Sequence, residues 1–222
     1  MDPMPHPAFL PLDGLDRQAR ARLLDLGRVR TLLGGDRVAL QPDSMAGLHL
    51  VLSGAVALQA SLASGRAAVM ALLLPGDTFG GTTPFEGPAF GHAALSIGPS
   101  RLLTVPAPPF RDLLAREPGV RRWFEGTLAE RARRVEVRLA EALLLPPGRR
   151  LERLLRDLAS RLPAGDGVEI PLPLTQDLLA QTIGVTRETV NRSLRELAHA
   201  GRITRRGPRY SVCPSSTEAD PW

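Results

Sequence analysis

The chain changes period after Pro109, and that change limits its possible folds more than any single residue does. From about Arg28 to Val105 it runs as short apolar segments, RVRTLL, GLHLVL, AVALQA, AAVMALLL, AALSI and RLLTV, parted by glycine-containing turns such as GGD, SGR and PGD. Short strands at a spacing of ~8 to 12 residues predict an antiparallel sandwich or barrel-like roll. The preceding LDRQARARLLDLG predicts a short amphipathic helix capping that roll. Residues 78–91, TFGGTTPFEGPAFG, interrupt the strands with glycine and proline and read as a loop that lines something.

Past Pro109 the period is helical. Val120, Phe124, Leu128, Ala132, Val135, Leu139 and Ala142 recur at spacings of four and three as one apolar stripe. Arg131, Arg133, Arg134, Glu136, Arg138 and Glu141 border it, as expected where two helices lie side by side. Either a second copy of the helix or the chain's own N-terminal domain could cover such a stripe; the dimer is the expectation. Pro146-Pro147-Gly148 stops the helix, because proline removes a backbone donor and glycine frees the backbone. The expected organisation is an α+β chain with an N-terminal jelly roll over 1–109, a long dimerisation helix over 110–145, a second domain over 146–213 and a tail over 214–222.

The third segment opens with Leu151, Leu154, Leu155, Leu158 and Leu162 on an amphipathic helix, then a turn PAGDG and a short strand VEIPL. Thr175 can cap the next helix, whose first turn holds Asp177, and Thr186 can cap the one after, each hydroxyl accepting from an otherwise unpaired backbone N–H. Leu178, Leu179 and Ile183, Val185 in the turn, and Val190, Leu194 and Leu197 would pack together as a helix-turn-helix. That packing leaves Arg187, Glu188, Asn191, Arg192 and Arg195 facing outward. After Gly201, RITRRGPRYSV reads as two short strands around Arg206-Gly207-Pro208, the wing of a winged helix.

An arginine fork can donate to guanine O6 and N7 together, whereas a carboxylate can accept from cytosine N4. Phosphates would repel Glu188, so a glutamate between arginines adds nothing to nonspecific affinity and can add base discrimination. A formal net charge of +5 and a sequence pI near 10.9 agree with a polyanionic partner. All 28 cationic side chains are arginine. The absence of lysine reads as compositional bias, so the positions of the arginines carry weight here and their number does not.

Other classes of function find little support. No stretch of ~18 apolar residues could span a bilayer, and MDPMPHPAF lacks the layout of a signal peptide, so no membrane partner and a cytoplasmic location are expected. The single cysteine, Cys213, leaves no internal disulfide and no multi-cysteine metal cluster. His49 or His92 could be a metal or haem ligand, but a lone histidine on a strand is more often packed or at the surface. No P-loop, Ser-His-Asp, Cys-His, paired acidic or HxH arrangement is present, and no cofactor or metal is implied. The rival from another class is a small-molecule or metal-binding jelly-roll enzyme carrying an accessory DNA module.

GVTRETVNRSLREL, together with PGDTFG, the long helix and the wing, resembles the CRP/FNR superfamily of transcription regulators across roughly residues 10 to 213. The resemblance implies that the helix after Gly184-Val185 enters the major groove and reads TGTGA-like half-sites of an inverted repeat through Arg187, Glu188 and Arg192. Thr175, Gln176, Thr186 and Arg209 are then candidates for backbone contacts, with Thr189, Asn191 and Arg195 auxiliary. It also implies a homodimer and RNA polymerase as partner. Members that bind cyclic AMP carry a loop resembling G-E-L-x-x-x-x-x-x-x-R-S/T, whose glutamate holds the ribose and whose arginine holds the phosphate. Here Gly80 and Gly81 open that segment, Gly81 stands at the glutamate position, and Gly91 and His92 stand at those of the arginine and hydroxyl. Glu86 would repel a phosphate. The pocket reads as degenerate, the neighbourhood of Val135 and Glu136 lacks hydroxyls for the purine, and an activator independent of cyclic AMP is expected. The alternative is a regulator sensing an unidentified small molecule. The iron–sulfur branch needs several cysteines, and no axial haem ligand can be assigned among His6, His49, His92 and His199.

Overall fold

The computed structural model describes residues 12, 14–39, 47–61, 64–80, 92–162 and 169–213. The chain divides into two compact units, Met1–Val137 and Arg138–Trp222.

In the first unit, helix α1 (Arg17–Leu26) starts at Asp16, whose carboxylate accepts the N–H groups of Gln18 and Ala19 at 2.9 and 2.8 Å. Strands β1 (Arg28–Leu32), β2 (Arg37–Ala39), β3 (Gly47–Ser53), β4 (Val56–Ser61), β5 (Ala67–Leu73), β6 (Thr78–Gly80), β7 (His92–Ser96) and β8 (Ser100–Pro106) follow. They form two antiparallel four-stranded sheets, ordered β1-β8-β3-β6 and β2-β7-β4-β5. The alternation of side chains divides the core. Leu32, Val51, Phe79 and Leu102 from the first sheet meet Val38, Val56, Leu58, Leu73 and Ala94 from the second. On the opposite face of the first sheet, Leu48, Leu50, Leu103 and Val105 pack under helices. The turn into β4 needs Gly54, whose φ is +78° and whose missing Cβ would run into Ser100 and the Pro99 carbonyl.

The long helix expected over 110–145 is two helices, α2 (Ala107–Arg116) and α3 (Pro118–Leu144), broken at Glu117. Pro118 has no N–H to continue α2, yet it is well placed in the first turn of a new helix. Phe110 and Leu113 of α2 and Val120 and Phe124 of α3 enter the core beside Leu23 of α1, with Phe124 edge-on to Phe110 at 5.1 Å. Val120 and Phe124 are therefore core residues of the roll and are not free to line a seam with another copy. Both are buried, whereas Val135 and Leu139 are 53% and 58% exposed. The helix period shows that a face is apolar without showing what covers it. The two compact units divide inside α3; the boundary expected at 109/110 falls within α2, and the one expected at 145/146 follows the end of α3.

The second unit contains α4 (Pro147–Arg161), α5 (Gln176–Ile183), α6 (Arg187–His199), β9 (Ile203–Arg206) and β10 (Arg209–Val212). Leu151, Leu154, Leu155 and Leu158 bury the inner face of α4, as the sequence pattern requires. The described part of VEIPL, residues 169–172, is not a full strand. Glu169 makes one bridge to Ser211, Ile170 donates to the Tyr210 carbonyl at 2.8 Å, and Leu174 donates to that of Pro208 at 3.0 Å. Pro171 and Pro173 have no donors with which to extend the ladder.

Candidate nucleic-acid interface

Two local devices aim α6. The α5 helix begins at Thr175, whose hydroxyl accepts the Leu178 N–H at 3.1 Å, and ends at Gly184 in the left-handed conformation with φ 70° and ψ 42°. The chain then turns within Val185, and the Thr186 hydroxyl accepts the Thr189 N–H at 3.2 Å, starting α6. Leu179, Ala180 and Ile183 of α5 are buried, as are Val190, Ser193, Leu194 and Leu197 of α6. Leu178 and Val185 are only partly covered.

This packing brings the expected readers to one surface: Arg187, Glu188, Arg192 and Arg195 are exposed, with Thr189 and Asn191 at its margin. Asp177 lies 3.7 Å from the Arg187 guanidinium, an exposed pair that water and salt weaken. The Asn191 amide donates to the Gln176 carbonyl oxygen at 3.3 Å, so these two side chains join α5 to α6. The Thr186 and Thr189 hydroxyls are 3.0 Å apart.

β9 and β10 form the wing, paired from Ile203–Val212 to Arg206–Arg209 around Gly207. Arg206 and Arg209 sit directly opposite each other, a like-charge placement that costs stability. Arg209 is offset by Glu169 at 3.1 Å. Arg205 donates to the Gly207 carbonyl at 2.8 Å and lies 5.7 Å from the centre of the Tyr210 ring. Burial pushes the Tyr210 hydroxyl pKa up, and Arg205 opposes that rise. Arg206 is exposed at the hairpin end, a cation that the sequence pattern does not single out.

Nor does the pattern single out Glu152. Its carboxylate is buried and meets Arg202 at 2.6 Å, Arg156 at 2.9 Å and Arg149 at 3.7 Å. Arg150 on the same helix donates to the Ile183 carbonyl at 2.9 Å. Helix α4 thus grips the end of α5 and the base of the wing, setting the wing's distance from α6. In RRLERLLRD the acid looks like any surface charge, and only the later Arg202 distinguishes it.

In the roll, Gly80 closes β6 opposite Leu48, with φ 70°. Gly81 and Gly91 lie outside the described residues, and His92 opens β7 opposite Ala60. His49 is buried, stacked on Phe79 with ring centres 4.7 Å apart, and its Nδ1 is 3.1 Å from the Thr104 hydroxyl. Among the described residues no three His, Cys, Asp or Glu side chains converge on a metal position. Helix α3 meets the start of β6 through polar groups: the Thr78 hydroxyl donates to that of Thr127 at 3.5 Å, and Arg134 contacts Asp77 at 2.8 Å. Hydrogen bonds from Arg133 and Arg134 lower the Glu130 pKa from 4.5 to about 2. On the far part of α3 Ala132, Val135, Leu139 and Ala142 are exposed, while Leu128 packs partly against the core.

Residues 137–213 match the Crp-like helix-turn-helix domain, and residues 29–117 match the cyclic nucleotide-binding domain. The chain belongs to the CRP/FNR family of transcription regulators. The CRP-like cAMP-activated global transcriptional regulator of Mycobacterium tuberculosis is 31% identical over 171 residues, 76% of each chain. The transcriptional regulator SdrP of Thermus thermophilus is 34% identical over 157 residues, 70% of this chain and 73% of that one. The structure of FixK2 from Bradyrhizobium japonicum shares the fold, with a TM-score of 0.73 at 23% identity, covering 84% of this chain and 92% of the other. The curated relatives of this CRP/FNR chain are regulators and not enzymes, and family members bind DNA through this domain and typically form dimers. No helix among the described residues is long and apolar enough to cross a membrane.

Proposed function

We propose that this regulator is a homodimer that binds an inverted repeat of TGTGA-like half-sites without cyclic AMP and activates transcription through RNA polymerase. The observation that carries the DNA reading is the face of α6: its large apolar side chains, Val190, Leu194 and Leu197, are used inside the unit, and Arg187, Glu188 and Arg192 are left outside with base-edge chemistry. Thr175 and Thr186 at the helix starts and Arg206 and Arg209 on the wing, all exposed in the same unit, are groups suited to phosphate oxygens. The exposed Val135 and Leu139 support a second copy as the cover for α3.

Independence from cyclic AMP rests on Gly81 and Gly91. The M. tuberculosis relative is described as cAMP-activated. In this chain no carboxylate stands where the ribose would be held and no arginine where the phosphate would be. A cyclic phosphate entering a protein loses hydration, and its burial is costly without a cation or several N–H donors. Glycine N–H groups could return part of that cost, but the ribose would still lack its partner. One observation favours the second reading, a regulator answering to another small anion: Arg131 of α3 is a half-buried cation beside the segment that leads into β6.

Selection of binding sites from random DNA by purified, ligand-free protein tests both halves. It should return inverted repeats with half-sites about one helical turn, ~10 bp, apart, and millimolar cyclic AMP should change neither affinity nor calorimetric heat beyond an ionic-strength control. Sites without two-fold symmetry would contradict the dimer. A saturable heat with a micromolar midpoint and tighter DNA binding would make the protein a cyclic-nucleotide sensor.

A further inference from the structure

Helix α3 is fastened to the roll by two different chemistries along its length. Its first three turns are held by apolar burial, through Val120, Phe124 and, partly, Leu128. Alongside and beyond Leu128 the fastening is polar. Thr127, Arg131 and Arg134, at i, i+4 and i+7, share one helix face, and that face meets the segment that leads into β6 at Thr78 and Asp77. The Asp77–Arg134 contact, at 2.8 Å, lies farther along the helix than the Thr78–Thr127 one.

Asp77 is a rigid anchor. Its Oδ2 accepts the Leu74 N–H at 2.9 Å, its own N–H donates to the Leu74 carbonyl at 2.9 Å, and its carbonyl accepts the Val51 N–H at 3.0 Å. The side chain is 13% exposed. Arg134 is held from its other side by Glu130 at 2.8 Å. An anion fixed in the roll thus engages a cation on the helix just where the apolar fastening has ended and the exposed stripe of Ala132, Val135 and Leu139 begins.

We propose that Asp77 acts as a tethered internal anion, which holds the distal part of α3 through Arg134 so that its bare stripe is presented to a second copy without any effector. The proposal rests on the ligand-independent reading above and supplies its physical basis. A ligand that bridges two elements favours their joined arrangement only by binding it better than the parted one. A carboxylate built into the chain does the same at a high effective concentration. It also places negative charge beside Arg131 and Arg134, so a second anion would be repelled from the cations that could otherwise attract it.

The test compares dimer dissociation, by sedimentation, and DNA affinity in ligand-free wild type, Asp77→Asn, Arg134→Gln, their combination, Arg134→Glu, and Asp77→Asn added to Arg134→Glu. Asparagine keeps an oxygen for the Leu74 N–H, and Arg134 is 38% exposed, so the core that holds α3 is untouched and unfolding midpoints should stay close to wild type. Each neutral single variant should weaken dimerisation and DNA binding about tenfold, with the combination no worse than the weaker single. Arg134→Glu should be the weakest, and Asp77→Asn should improve it although the same change harms wild type. Singles that dimerise like wild type, or an Asp77→Asn effect of the same sign in both backgrounds, would overturn the link. If wild type needs a ligand to bind DNA, the ligand-independent reading fails, while the dimerisation measurements still decide the fate of the Asp77–Arg134 link.

Discussion

Helices α3 and α6 have similar composition, each with apolar residues at helical spacing between arginines and glutamates, and the structure uses them in opposite ways. In α6 the apolar face is consumed within its own unit by Val190, Leu194 and Leu197, so the polar face is what remains to act. In α3 the near part buries Val120 and Phe124, but the distal part leaves Val135 and Leu139 bare, so there the apolar face is what remains to act. An amphipathic helix does not announce which face is functional. The working face is the one its own chain leaves unsatisfied.

The largest expected effect should come from breaking the apolar half of this contrast. Leu139→Glu alters an exposed residue and should leave the folded monomer intact, but two carboxylates forced into a shared seam cost several kcal/mol. Sedimentation should show monomer, and affinity for the inverted repeat should fall by about a hundredfold or more. Unchanged dimerisation would make that stripe ordinary surface. Next comes the polar half. Arg187→Ala or Arg192→Ala should cost about 1 to 3 kcal/mol at the cognate site and relax one base position, while Glu188→Ala should mainly lose discrimination. If site selection with all three variants returns the wild-type sequence, α6 is not the reader. The smallest effect is expected at the wing. Arg206→Ala should weaken all sequences alike and reduce the salt slope by about one, whereas Arg209→Ala, already offset by Glu169, should change the slope less. Equal slopes for the two variants would remove that distinction.

What can be read from sequence follows the range of the forces involved. Thr175, Thr186 and Gly184 act on backbone within three or four residues of themselves, so the two caps and the turn are legible from the residues alone. The wing is legible because Gly207 punctuates it locally. The roll's strands are legible as alternating segments, but their order, with β8 between β1 and β3, comes from packing of residues far apart in sequence. For Val120 and Phe124 the sequence suggests the wrong cover, because a core and a dimer seam impose the same period. The helix break lies at Pro118, two residues before the apolar stripe starts at Val120, and the stripe's period carries no sign of it. Glu152 is illegible for a similar reason: its partner Arg202 lies fifty residues away. The opposition of Arg206 and Arg209 needs the strand register as well as the turn.

The bare stripe on α3 also bears on how such a regulator answers to its own abundance. Val135 and Leu139 are left without cover in their own chain, and in the proposed dimer a second copy would contribute half of the seam. While the protein is scarce, promoter occupancy then rises with the square of its concentration, and halving the supply cuts occupancy about fourfold. Strengthening the contacts of α6 would move the threshold without changing that exponent. A promoter under this control would respond sharply to synthesis and turnover of the regulator even with no small molecule to sense.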